Sequence, residues 1–183
     1  MLTESSVVNS NRNPEMDRAE IERALETAFG VTKVIWLKGV KGKDITDFHV
    51  DCIARFIAPG KVIVGRPGAN YDANDIWSQA SDEAKQVLES STDAQGRKLE
   101  IIELPDPNYN RIRGTQKEFL ASYVNFYVAN SAVFVSQFGD AQADRNAQNI
   151  LAKAFPDRKI IALNTDVISS GGGGIHCATR ERP

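Results

Sequence analysis

Two stretches of this chain, about seventy residues apart, carry the same order of apolar patterns, and that repetition restricts its fold more than any single motif does. The first predicts a strand over 50–57, a turn at Pro59-Gly60 and a strand over 62–64. A helix follows with Ile76, Trp77, Ala80, Ala84, Val87 and Leu88 on one face, then a strand over 99–102. The second predicts a strand over 123–128, a turn at Asn130-Ser131 and a strand over 133–135. Its helix carries Ala147, Ile150, Leu151 and Ala154, and a strand over 159–163 closes it. Both read β-β-α-β, so the class is α/β. Each helix has one apolar face to bury, so neighbouring units must share a sheet or a core.

Upstream, Asn13 and Pro14 suit the N-cap and first position of a helix. Ile21, Ala24, Leu25 and Ala28 recur at helical spacing, Gly30 ends the run, and residues 34–37 read as a strand. This piece resembles the tail of an earlier copy whose front half is absent. Residues 105–118, with two prolines, a glycine and many polar side chains, form the long connector between units. Two and a half copies do not close a symmetric architecture. The expectation is a part of a larger protein that associates with itself or with a missing N-terminal half.

Composition excludes several classes. The 183 residues are 42% hydrophobic and 25% charged with a net charge of −2, values of a globular domain and not of a nucleic-acid binder. No apolar run approaches the ~20 residues of a membrane span, and the start lacks the basic and apolar regions of a signal peptide. Two cysteines, Cys52 and Cys177, make no disulfide framework, which points to a reducing, cytoplasmic setting.

Cys177 follows Gly171-Gly172-Gly173-Gly174-Ile175-His176. Four glycines are costly in backbone entropy and are kept where φ is positive or where something approaches the main chain closely. A thiol beyond them is placed to be a nucleophile; the plain alternative is a flexible tail. Were His176 and Cys177 on a strand, they would face opposite ways, which makes His176 a poor partner. His49 and Asp51 are two apart, and residues 52–57 favour a strand, which would put an imidazole and a carboxylate on one face. A thiolate nucleophile, a histidine near neutral pKa and a carboxylate suit attack on a planar cation such as a guanidinium. Asn125 is expected on a strand, touching substrate or held in a structural hydrogen bond. Asp140 reads as a helix N-cap, Cys52 as a buried small residue facing away from the site, and Trp36 and Trp77 as packing residues.

Residues 46–51 with Ala54-Arg55-Phe56 resemble the histidine motif of the agmatine deiminase and Porphyromonas-type peptidyl-arginine deiminase family. Residues 171–177 resemble its nucleophile motif, and Asn11-Arg12-Asn13-Pro14, residues 121–127 and Phe138-Gly139-Asp140 resemble its framework. The resemblance implies the five-bladed α/β propeller (pentein) built from β-β-α-β units, with 1–183 as the C-terminal part of a single such domain. It implies conversion of agmatine or a related guanidine compound to its carbamoyl product and ammonia, without metal or cofactor, as in polyamine synthesis. Cys177 would be the nucleophile, forming a thiouronium intermediate, His49 the general acid and base, and Asp51 a grip on the guanidinium. Asn125, Gly173 and Gly174 would line the substrate. The partner is thus a small cation, with no nucleic acid or membrane; the alternatives are a peptidyl-arginine substrate or a non-catalytic half-propeller. Family members are about twice as long and carry another guanidinium-binding aspartate in the half not matched. Phe48 stands where many agmatine deiminases have a glycine, and a bulky side chain there would reshape the pocket.

Overall fold

A computed structural model describes residues 1–180 and divides the chain into two compact units. One comprises Met1–Val64 and Ala73–Ile102; the other comprises Gly65–Asp72 and the chain from Glu103 on. In chain order the elements are β1 (Leu2–Thr3), α1 (Glu4–Val7), α2 (Arg18–Phe29), β2 (Trp36–Leu37), β3 (Ala54–Ala58), β4 (Lys61–Arg66), α3 (Ile76–Ser90), β5 (Glu100–Pro105), β6 (Tyr127–Val128), β7 (Ala132–Gln137), α4 (Ala141–Ala154), β8 (Lys159–Asn164) and α5 (Asp166–Ser169).

The repeat is present. β3 runs antiparallel to β4, and β4 lies between β3 and β5. β6 runs antiparallel to β7, and β7 pairs in parallel with β8 from Ala132↔Lys159 to Gln137↔Asn164. Helices α3 and α4 occupy the same place in each order. Each starts on an aspartate whose carboxylate accepts backbone N–H groups: Asp75 from Ser78, and Asp140 from Gln142 and Ala143. The expected cap at Asp140 is therefore observed. The copy expected as a tail holds one strand more, because β1 pairs in parallel with β2, Leu2↔Trp36 and Thr3↔Leu37. Two residues carry no readable strand pattern, so this pairing was hidden in the sequence.

Three local expectations are corrected. Helix α2 begins at Arg18 and not at Pro14. Asp17 and Glu20 form a reciprocal capping box, which satisfies two helix-end donors, whereas Asn13 donates its side-chain amide to Val7 O. Its C-terminal end at Gly30 is as expected, with φ +64. The strand expected over 50–57 starts only at Ala54, after a 3-10 turn at Val50–Cys52. The strand expected over 123–128 is confined to Tyr127–Val128, because the preceding polar groups bond to side chains and to the C-terminal segment instead of to a ladder.

The first unit buries Ile35, Leu37, Ile53, Val62, Val64 and Leu88 in one core, against which Phe48 and Val87 are partly buried. Trp36 is buried and donates its indole N–H to Glu22, and Trp77 meets the Phe48 ring edge-on with centroids 4.8 Å apart. Both tryptophans are the packing residues expected. In the second unit Tyr123, Phe126, Phe138, Val133 and Leu151 are fully buried, with Tyr123 and Phe155 rings against Phe138 and Phe126 respectively. Among the described residues no helix is long and apolar enough to cross a membrane.

Candidate active site

His49 lies in the first unit. Its backbone is extended (φ −63, ψ 146) immediately before the 3-10 turn, in which Asp51 is the middle residue. The two are therefore not on one face of a strand, as expected from their spacing; a turn of three residues per rotation carries them instead. The approach to His49 is built by hydrogen bonds. Asp44 Oδ1 accepts from Thr46 N at 2.7 Å, from the Thr46 hydroxyl at 2.9 Å and from Phe48 N at 2.9 Å. The Thr46 hydroxyl oxygen in turn accepts from His49 N at 3.3 Å.

Asp47 and Phe48 both take the left-handed conformation, at φ +58 and +65. Each costs roughly 1–2 kcal/mol for a residue with a Cβ, somewhat less for aspartate. The N-terminal segment holds them there. Ser5 donates its hydroxyl to Asp47 O at 2.6 Å, Thr3 donates to Phe48 O at 2.8 Å, and Asn9 donates its amide to Asp47 Oδ2 at 3.0 Å. Gly42 N donates to Asp47 Oδ1. The positive φ explains why glycine suits position 48. The Phe48 side chain turns to Trp77 and the core.

Cys52 follows Asp51 in the same turn. It is half-buried, and its thiol donates to Asp51 Oδ1 at 3.7 Å. It does not face away as a buried small residue would, because the chain is a turn here and not a strand.

Cys177 lies in the second unit, exposed, on a turn closed by Ala178 N to Gly174 O (3.1 Å) and Thr179 N to His176 O (3.1 Å). Asn125 is 1% exposed and sets this turn. Its Oδ1 accepts from His176 N at 3.0 Å, and its backbone oxygen accepts from the same N–H at 3.3 Å. With its oxygen so engaged, the amide must present nitrogen on its other side, and Nδ2 donates to Cys177 Sγ at 3.2 Å. A donor at that sulfur favours the thiolate, the nucleophilic form.

The glycine run fits these neighbours. A Cβ on Gly174 would overlap the Asn125 amide, only 2.7 Å from its Cγ, and Gly172 has φ +81. Gly173 lies against Cys177, where an added Cβ would sit 3.4 Å from the cysteine Cβ. The run is anchored upstream by buried hydroxyls: Thr165 donates to Ser136 at 2.8 Å and lies 3.3 Å from Ser169, whose carbonyl accepts Leu120 N. Arg113 fixes the connector to α5 through a fork on Asp166, with bonds of 2.6 and 3.0 Å, and Asp166 holds its guanidinium pKa up.

Behind Asn125 lies a polar network that the sequence did not signal. The Tyr123 hydroxyl donates to Asp144 Oδ1 at 2.8 Å, and Asp144 also accepts from Phe138 N and Gly139 N. Burial and the Asp144 carboxylate push the Tyr123 pKa up. Asp106 is partly buried, with its carboxyl enclosed. Burial raises its carboxyl to about 8, against the lowering effect of Tyr123 N–H and the Ser122 hydroxyl, and among the described residues its Oδ1 has no hydrogen-bond partner.

A model of the Porphyromonas-type peptidyl-arginine deiminase family matches residues 1–183. The chain belongs to this family. It is 38% identical over 204 residues to an agmatine deiminase of Medicago truncatula, covering 100% of this chain and 53% of that protein. Among solved structures it is similar to an agmatine deiminase of Enterococcus faecalis, with a TM-score of 0.83 and 35% identity over 95% of this chain and 51% of that one. It is also similar to a cysteine-to-serine variant of a C. jejuni agmatine deiminase with substrate bound, with a TM-score of 0.80 and 28% identity over 95% of this chain and 49% of that one. The chain thus spans about half the length of the relatives it matches.

Proposed function

We propose that the protein carrying this chain is a guanidine deiminase of agmatine or a related compound, with Cys177 as nucleophile, His49 as general acid and base, and Asp51 as a guanidinium ligand. The observation that carries the reading is the Asn125 amide on the Cys177 sulfur, in a member of this family. Substrate held to the cysteine-to-serine variant of a relative fits a missing nucleophile. The β-β-α-β units would be blades of a propeller completed by chain beyond this one or by a second copy. The cytoplasm, which keeps thiols reduced, suits the chemistry.

In the proposed reaction the Cys177 thiolate attacks the guanidinium carbon, and the C–N electrons pass to the leaving nitrogen. Protonated His49 delivers its proton, and ammonia departs from an S-thiouronium. Water then attacks the same carbon as neutral His49 takes one of its protons, the C–S bond breaks with its electrons returning to Cys177 as the thiolate, and the remaining O–H proton passes to solvent, leaving a neutral ureido product. Asp51 balances the positive charge of the guanidinium and the thiouronium.

Ammonia release and mass-spectrometric detection of a substrate adduct test this, with agmatine and with an arginine peptide as alternative substrates. Adduct on Cys177, and ammonia release lost in Cys177→Ala, are expected. His49→Ala is expected to slow release by about 10²–10⁴-fold. Release that survives Cys177→Ala refutes the assignment, and absence of both adduct and ammonia favours the non-catalytic alternative.

A further inference from the structure

We infer that Thr3, Ser5 and Asn9 are positioning residues for His49, which they hold by keeping Asp47 and Phe48 left-handed; that His49 matters to catalysis rests on the proposed function. Two adjacent non-glycine residues at positive φ are uncommon, and such strain persists only where surrounding structure over-determines it. Here the determinants come from more than thirty-five residues away. Ser5 bonds Asp47 O, Thr3 bonds Phe48 O, and Asn9 bonds the Asp47 carboxylate. Each is buried, and each is itself fixed: Thr3 shares a bond of 2.7 Å with Ser6 Oγ, Ser5 N donates to Lys38 O, and Asn9 Oδ1 accepts from Asn11 N.

The close fit is also visible from the other side. Gly39 has φ +70, and a Cβ there would overlap the Ser5 hydroxyl and lie 3.0 Å from Thr3 Cβ. The strap therefore needs a glycine beneath it. Its bonds end on the two peptide groups directly before His49, so release of either carbonyl lets the chain rotate at Asp47 or Phe48 to negative φ. That rotation redirects the chain at His49. The edge-on contact of Phe48 with Trp77 acts with the strap, since it retains the bulky side chain in the strained position.

The chain has only two histidines, so the imidazole signals of His49 and His176 can be followed by NMR and assigned with His49→Ala and His176→Ala. Ser5→Ala and Thr3→Val are expected to broaden or split the His49 signal and leave that of His176 alone, while Thr3→Ser, which keeps the hydroxyl, leaves both unchanged. Phe48→Gly, which removes the conformational penalty, is expected to restore a single His49 signal to Ser5→Ala. A generally weakened fold would gain nothing from that second change, which also removes a core contact. An unaltered His49 signal in both strap variants overturns the inference, as does a Ser5→Ala, Phe48→Gly pair that is worse than Ser5→Ala alone. If Ser5→Ala fails to fold, recovery of folding by Phe48→Gly supports the inference and lack of recovery contradicts it. None of these readouts requires turnover. Displaced His49 signals together with full ammonia release by His49→Ala would uphold the positioning and remove the catalytic role.

Discussion

At the scale of single residues, the groups proposed to carry chemistry have partners that leave them little choice. Asn125 can present only its nitrogen to Cys177, because its oxygen is taken by His176 N–H. Asn125→Ala removes a donor worth about 1–1.5 kcal/mol, so alkylation of Cys177 by iodoacetamide at neutral pH is expected to slow roughly ten-fold, with its pH profile displaced upward. A profile identical to that of the unaltered chain would remove Asn125 from thiolate stabilisation. Asp106 gives a second residue-level expectation. Its carboxyl, near 3.9 in an unfolded chain, is raised to about 8 in the fold. The folded state therefore holds its proton more tightly, and stability is fully present below about pH 4 and lost as pH rises to about 8, at no more than about 1.4 kcal/mol per pH unit. Urea melts across that range should show Asp106→Asn losing less stability than the parent as pH rises; parallel curves would contradict the assignment.

Among the elements, what was legible in the sequence was what repeats. Alternating apolar residues and helical faces located β4, α3, β5, β7, α4 and β8 to within a few residues, because each is long enough to show its period. The segments proposed to carry chemistry were legible as residue types but not as conformations. His49 and Asp51 lie in a turn because Asp44 and Thr46 collect the local N–H groups that a strand would need. Asn125 lies in a bend because Tyr123 is drawn to Asp144. The strap of Thr3, Ser5 and Asn9 was illegible, since each of its bonds joins residues about forty apart and nothing local marks them. The glycine run was legible as an anomaly, and its cause is specific: Gly174→Ala would drive a methyl into the Asn125 amide. That change is expected to cost about 1–3 kcal/mol in a denaturant melt and to slow Cys177 labelling as Asn125→Ala does. Unchanged stability would show that the turn has room to yield.

For the whole molecule, the central fact is that the chain matches a family along its full length while spanning about half the length of its relatives. If orientation of the guanidinium depends on groups in the remaining half, as the family resemblance implies, the cost of their absence reaches several kcal/mol of barrier, with an upper range of about 7–11. Agmatine turnover by the 183-residue chain alone is therefore expected near background, and to rise when the remaining half is supplied; turnover at the rate of a full-length relative would contradict this. Cys177 is expected to keep its reactivity in the chain alone, and mapping which cysteine is alkylated tests its assignment as nucleophile. The reagents are 2-chloroacetamidine, a cationic guanidinium mimic, and neutral chloroacetamide. Cys177 is expected to be labelled faster than Cys52 and to prefer the amidine, and Asp51→Asn is expected to abolish the preference. Equal, slow labelling of both cysteines, or a Cys177 that does not distinguish the two reagents, would contradict that assignment.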